Sequence, residues 1–319
     1  MTEQAVKAGE STAVGEDAVR RRGQRTILQQ QRLWGLIFLS PWIFGFFVFT
    51  FFPMAASLYF SFTDYQIGET PHWIGLKNWQ NLFKDPVTYQ SLQVTLKFAV
   101  MMLPVSILFP LLLAALLNSK FLTGKRLLRV LFYMPYMVPA ISGAFIWQSF
   151  LNGQTGLFNR MLGWVGWANP PDWLYNSQTI QPAMVLVGLW GVGNAMLTML
   201  AGMQGVPTEL YEAAEVDGAG PARRFIKITI PMISPVILYN LVLTVIGLMQ
   251  YFVLPYVLSN QTRSNPETNF INLHLYREAF LYFHMGYASA IAWLLFAVAL
   301  GLTLLVLYSS RRWVYYSGG

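Results

Sequence analysis

The sequence predicts an all-α, polytopic membrane protein of six spans, and three observations carry that prediction. The chain is 55% hydrophobic and 11% charged, where a soluble domain carries roughly 25% charged residues; its mean hydropathy is +0.44. Six long runs, at 33–62, 98–117, 130–151, 180–203, 232–258 and 285–308, contain no Asp, Glu, Lys, Arg or His, and about 20 apolar residues suffice to cross a bilayer. The cations are also unevenly shared between the segments joining these runs. With the amino terminus inside, fourteen Lys and Arg fall near the cytoplasmic face, from Arg20 through Lys125 and Arg223 to Arg312. Only Lys77, Lys84, Lys97, Arg160, Arg263 and Arg277 fall outside. This positive-inside pattern places both termini in the cytoplasm. It also accounts for the net charge of +7 without a nucleic-acid partner.

Taken in order, residues 1–32 read as a disordered cytoplasmic tail, polar and closing on a basic cluster. The first run is too long for a signal-peptide core, and Pro41, Gly45 and Pro53 are expected to kink it. Residues 64–93 form a connection whose Trp73 and Trp79 suit a membrane interface. After the second run comes a basic loop with Lys120, Lys125, Arg126 and Arg129. Its Gly124-Lys125 pair lacks the flanking residues of a phosphate-binding loop. The third run carries Pro135 and Pro139, and an aromatic, turn-rich segment follows it. The membrane domain is expected to cover 33–312, with 313–319 as a C-terminal tail. Cysteine is absent, so disulfide and thiol chemistry are excluded.

Between the fourth and fifth runs lies the one ordered-looking polar segment, 207–231. Thr208 is placed to cap a helix, with Glu209 and Glu212 in its first turns, where the positive end of the helix dipole favours them. Ala213 and Ala214 are strong helix formers that allow close approach of another surface. Asp217-Gly218 supplies a helix end, with Gly218 free to take positive φ. Pro221 is suited to open a second helix, which carries Arg223, Arg224 and Lys227. Two short helices, acidic then basic, are therefore predicted at the membrane surface.

Tyr211-Glu212-Ala213-Ala214, then Asp217-Gly218-Ala219-Gly220-Pro221, closing on Ile228-Thr229-Ile230-Pro231, resembles the EAA loop of ABC-transporter permeases. The match is to the binding-protein-dependent carbohydrate importers of the maltose, lactose and glycerol-phosphate type. Lesser matches are Gly75-Leu76-Lys77-Asn78-Trp79, the Gly156 to Asn159 element and Gly286-Tyr287-Ala288. The Gly-Gly-Pro of that family is replaced by Ser259-Asn260-Gln261-Thr262. The resemblance implies the type I importer permease fold in a bacterial or archaeal cell membrane. Glu212, Ala213, Ala214, Asp217, Gly218 and Pro231 would then form the coupling element that docks on an ATPase. It further implies a second permease subunit, two ATPase subunits carrying ATP and Mg, and an extracytoplasmic solute-binding protein. No cofactor is expected on this chain.

An enzyme reading finds no catalytic set: His72, His274 and His284 fall between spans without metal-ligand spacing. An ion-coupled secondary transporter is the alternative, and such carriers usually place ionisable residues inside their spans. Charge-free spans suit a neutral, hydroxyl-rich solute such as a sugar, bound by aromatic faces, amides and hydroxyls. Trp190, Asn194, Asn240, Thr244, Gln250 and Tyr251 are the pathway candidates, each with interhelical hydrogen bonding or packing as the competing use. Gly188, Gly191 and Gly193 read as close-packing positions.

Overall fold

The computed structural model describes residues 30–261 and 265–316. The expected tail before Gln30, with its arginines Arg20 to Arg25, and most of the Ser259 to Thr262 element lie outside these residues or their described side chains. The chain divides into two units, one ending at Tyr59 and one starting at Phe60. Among the described residues, four helices are long and apolar enough to cross a membrane, and the number reaches six if each of two sharply bent helix pairs is one span.

The first described helix, α1, is Gln30–Phe60, and all of it but Phe60 belongs to the first unit. The helix widens into a π turn at Phe47–Phe51. Pro53 explains it: with no N–H and a ring that crowds the carbonyl four residues earlier, proline disturbs the preceding turn. Rings pair along the helix: Trp42 stacks on Phe46 at 5.7 Å and Phe47 meets Phe51 edge-to-face at 5.5 Å.

In the second unit, α2 (Lys77–Leu82) is pinned by the buried Asn78, whose amide donates to the carbonyls of Ser61 and Thr63 at 3.0 and 2.8 Å. The next helix, α3, runs Pro86–Asn118, starting twelve residues before the apolar run that predicts it. Its Asp85 cap accepts from the N–H groups of Val87 and Thr88 at 2.9 and 3.2 Å, and Pro86 sits at the first helical position, which together nucleate the helix early. Lys97 therefore lies on this helix, paired with Glu267 at 2.9 Å.

The third run is not one straight span. It forms α4 (Lys125–Tyr133), a 3-10 turn at Met134–Met137 and α5 (Ala140–Phe150), with a bend of 100°. Val138, extended at φ −71° and ψ 129°, shows the restriction that Pro139 imposes on the residue before it. Next, α6 (Leu157–Trp164) is held by buried Asn159, which accepts from Trp173 Nε1 at 2.7 Å and donates to the Gly153 carbonyl at 3.0 Å.

The fourth run breaks into α7 (Ile180–Trp190) and α8 (Gly193–Gln204), bent by 52°. A Cβ on Gly193 would lie 2.6 Å from the Phe132 carbonyl oxygen, and one on Gly188 would collide with Met102. Close packing against backbone therefore requires Gly193, whereas at Gly188 the neighbour is the flexible end of Met102, which can move aside. Gly191 has only a backbone oxygen at 3.8 Å and is not so constrained. The remaining elements are α9 (Thr208–Val216), α10 (Pro221–Arg224), α11 (Ser234–Met249), α12 (Val253–Gln261), α13 (Ile271–Tyr276) and α14 (Met285–Ser310).

Two apolar clusters hold the second unit. One gathers Phe98, Ile180, Met184, Leu258, Phe270 and Ile291. The other gathers Leu111, Leu117, Met196, Met199, Met203 and Ile233, and against it pack Tyr211, Phe225 and Ile228 of the polar segment. The polar segment is thus seated on the bundle by its own apolar side chains.

Candidate functional site

Local chemistry shapes the 207–231 segment. Its first helix, α9, begins on Thr208, with Pro207 in the cap position and no side chain bonded to the free N–H groups. Thr208 is inside the helix rather than its cap, because Pro207, fixed near φ −55° with ψ 131°, already supplies the turn into it. Glu209 provides the acidic first turn.

The far end of α9 is closed by two bonds. Ala219 N–H donates to the Ala214 carbonyl at 2.8 Å and Gly218 N–H to the Glu215 carbonyl at 3.0 Å. This is a Schellman closure, which needs a left-handed residue. Gly218 takes that conformation at φ 75°, and nothing lies within 4 Å of where its Cβ would be. Pro221 then opens α10, which continues through a π turn at Phe225–Thr229.

Two side-chain pairs fold the segment on itself. Tyr211 Oη lies 2.9 Å from Thr229 Oγ1, and Arg224 Nη1 donates to Glu215 Oε2 at 2.6 Å. Tyr211 thereby turns its side of α9 toward the bundle. Glu212, Ala213, Asp217 and Gly218 are exposed, while Ala214 and Pro231 are half-buried. Val216 is 89% exposed, a large apolar side chain on a charged surface. Chemically, this is a short rigid helix with acidic, small and apolar side chains displayed outward. The two internal pairs were not visible in the sequence; the i to i+9 spacing of Glu215 and Arg224 becomes a contact only once the Gly218 turn is formed.

The six pathway candidates do not share one cavity. Trp190 ends α7 edge-to-face with Trp147 at 5.9 Å. Asn194 is exposed at the start of α8. Asn240 is buried, donating to Thr198 Oγ1 at 3.1 Å and to the Val236 carbonyl at 2.9 Å. Thr244, half-buried, follows one turn later on α11. Tyr251 stacks on Phe98 at 5.0 Å and meets Phe270 at 5.6 Å. Gln250 alone lines a cleft of about 570 Å³, together with Asn272, Phe296 and Thr303; its backbone carbonyl accepts from Asn272 Nδ2 at 3.0 Å.

A second cleft, of about 530 Å³, is lined by Asp64, Lys77, Asp85, Glu278, His284 and Tyr287 among others. Beside it the buried His274 sits 3.5 Å from Asp85 Oδ2 and 3.2 Å from Thr88 Oγ1. Burial holds the His274 imidazole below its usual range, with Glu278 and Asp85 opposing. Burial pushes the Asp85 carboxyl up, but hydrogen bonds from Thr88, Val87 and Tyr287 outweigh it and hold the group below the usual carboxylate range. His274 thus proves to be a packed, hydrogen-bonded residue. Among the described residues no three His, Cys, Asp or Glu side chains are grouped to hold a metal ion.

Known proteins resemble this chain in sequence and fold. The chain is 36% identical over 308 residues to the probable ABC transporter permease protein YesP of Bacillus subtilis, covering 96% of this chain and 98% of the relative. It is 33% identical over 293 residues to the arabinooligosaccharides transport system permease protein AraP of the same organism, covering 91% and 92%. Among solved structures, it is similar to a chain of a bacterial alginate ABC transporter crystallised with an alginate pentasaccharide-bound periplasmic protein. That likeness has a TM-score of 0.78 at 26% identity, covering 88% of this chain and 96% of the other. The family model for binding-protein-dependent transport system inner membrane components matches residues 106–315, through the polar segment and the spans on either side of it. The chain belongs to that family of inner membrane transport components.

Proposed function

We propose that this chain is the pathway-forming permease subunit of an ATP-driven importer of carbohydrates. The observation that carries the proposal is the exposed α9, closed by the Gly218 turn, tied to Thr229 and packed on the bundle through Tyr211. A helix so held moves as a unit with the spans behind it. Seated in a groove of a cytoplasmic ATPase, it would transmit nucleotide-driven closure to the membrane. Glu212 would make polar contacts there, Ala213 and Ala214 would permit close packing, and Asp217 and Gly218 would shape the helix end. Pro231 would mark the return into the membrane. ATP and Mg belong to the ATPase, of which two copies are needed for two permease subunits. The solute arrives on an extracytoplasmic binding protein and passes by alternating access, turning outward on ATP binding and inward after hydrolysis. Both termini lie in the cytoplasm, as the charge distribution supports.

A carbohydrate cargo is supported by what the relatives are named for, arabinooligosaccharides and alginate. The polar side chains inside the apolar runs, Asn240, Thr244 and Gln250 among them, are amides and hydroxyls, which suit hydroxyl-rich ligands. Family membership disfavours the ion-coupled carrier. The test is co-expression with the ATPase and the second permease, reconstitution, and ATP hydrolysis with and without sugar-loaded binding protein. Hydrolysis that rises with the loaded binding protein supports the reading. An unstimulated complex, with uptake following an ion gradient instead, would overturn it.

A further inference from the structure

The C-terminal segment, which the sequence reads as a tail, folds back onto the exit of the polar loop. After α14 ends at Ser310, Trp313 N–H and Val314 N–H both donate to the Ser310 carbonyl, at 3.1 and 2.9 Å. These bonds turn the chain, and Arg311 sits over the Tyr308 ring at 5.8 Å. Tyr315 N–H is thereby delivered to Ser234 Oγ at 2.8 Å. The same hydroxyl donates to the Pro231 carbonyl at 2.6 Å. Ser234 is 2% exposed, so water does not compete freely for either bond.

The hydroxyl has one proton to donate and lone pairs to accept. Ser234 uses both in line: it accepts from the C-terminal segment and donates to the loop's last proline. Neither partner is a side chain, so the connection is between two distant stretches of backbone, at Tyr315 and Pro231, joined through one buried serine. The Pro231 carbonyl lies at the point where the π turn and the short Ile230–Met232 helix hand over to α11. That is where rigid motion of the loop must pass into the membrane.

We infer that Ser234 is a positioning residue for the loop, and that the 311–316 segment is a brace holding the loop's exit in register with the last span. The inference deepens the docking-loop reading and rests on it for its effect on transport, but the brace itself is tested independently. Tyr315→Pro deletes the donating N–H, and the chain at 314–316 carries no helix for a proline to break. Tyr315→Ala keeps the N–H and removes only an exposed ring. Hydrogen exchange is read at the backbone of 225–233 in the full chain, inserted in lipid nanodiscs. Exchange faster by about threefold or more in Tyr315→Pro, as expected for one lost buried hydrogen bond, and unchanged in Tyr315→Ala, supports the brace. Equal exchange in all three chains overturns it.

In the reconstituted transporter, Tyr315→Pro and Ser234→Ala are expected to lower the ratio of stimulated to basal ATP hydrolysis by about twofold or more, with Tyr315→Ala unchanged. A ratio untouched in both variants would overturn the positioning role. A native complex that no loaded binding protein stimulates would instead sink the docking-loop reading, while the exchange result still decides the brace.

Discussion

Tyr211 Oη and Thr229 Oγ1 stand 2.9 Å apart, joining the first turns of α9 to the last residue of the π turn that returns toward the membrane. The loop between them carries every residue assigned to docking except Pro231. This hydroxyl pair, with the Arg224–Glu215 pair, ties the two ends of the segment together. Thr229 is buried, and the Tyr211 ring packs on the Leu111–Met203 cluster, so the bond sits on an apolar floor.

Tyr211→Phe keeps that packing and removes the bond. Thr229 then loses a partner, at a cost of about 1 kcal/mol. Proteolysis or hydrogen exchange of 208–229 should accelerate severalfold, and coupling of hydrolysis to uptake should weaken. An unchanged exchange rate would show that packing alone fixes the loop.

Gly218→Val tests the turn. Space is open around the position, so the whole penalty is backbone: at φ 75° a side chain costs about 1–2 kcal/mol, and a β-branched one is worse. The variant should insert normally, yet lose stimulation of hydrolysis by loaded binding protein, with Gly218→Asn in between. Full stimulation in Gly218→Val would remove the turn from the coupling account.

Acid should destabilise the Asp85–His274 pair in two steps. The folded pKa of His274 lies below 6.5, so the unfolded chain takes up the proton first. Stability is therefore complete above 6.5 and declines as pH falls through that value toward the folded pKa. Asp85, held below 3.8, keeps its contribution until pH falls under that value. Thermal unfolding in detergent between neutral pH and about pH 5 should show a falling midpoint in the native chain. The fall should be smaller in His274→Gln; an equal fall in both would locate the acid sensitivity elsewhere.

Asn240 and Gln250 should respond differently. Asn240 is buried and spends its amide on Thr198 and Val236, so Asn240→Ala should lower stability by about 0.6–2 kcal/mol, and the Thr198→Ala double variant should be less than additive. Gln250→Ala, on the wall of the larger cleft, should leave stability nearly unchanged and raise the solute concentration for half-maximal uptake. The reverse pattern would exchange their roles.

Legibility followed the range of the interactions. Asp217-Gly218 and Pro221 act on their own neighbours, and the helix ends they imply are where the chain has them, whereas the cap expected at Thr208 falls on Pro207. Asp85-Pro86 is an equally local signal for the start of α3, but hydropathy does not carry it, since the apolar run begins only at Phe98. The bend at Pro139 was readable as a break but not as 100°, since proline fixes the interruption and packing sets the angle. Asn240 with Thr198, Ser234 with Tyr315 and Asp85 with His274 depend on the register of distant helices, which hydropathy does not carry. The helix-turn-helix course of 207–231 was therefore legible in the sequence, while the bonds that hold it were not.

The most direct measurement exploits the absence of cysteine in the chain. Ala213→Cys places one thiol on the exposed face of α9 with little change in size, and paired single cysteines across the ATPase groove complete the reporter. In the assembled transporter, the account predicts a disulfide between position 213 and the ATPase whose yield changes with ATP. Efficient uptake by a transporter in which position 213 never cross-links to the ATPase would contradict it.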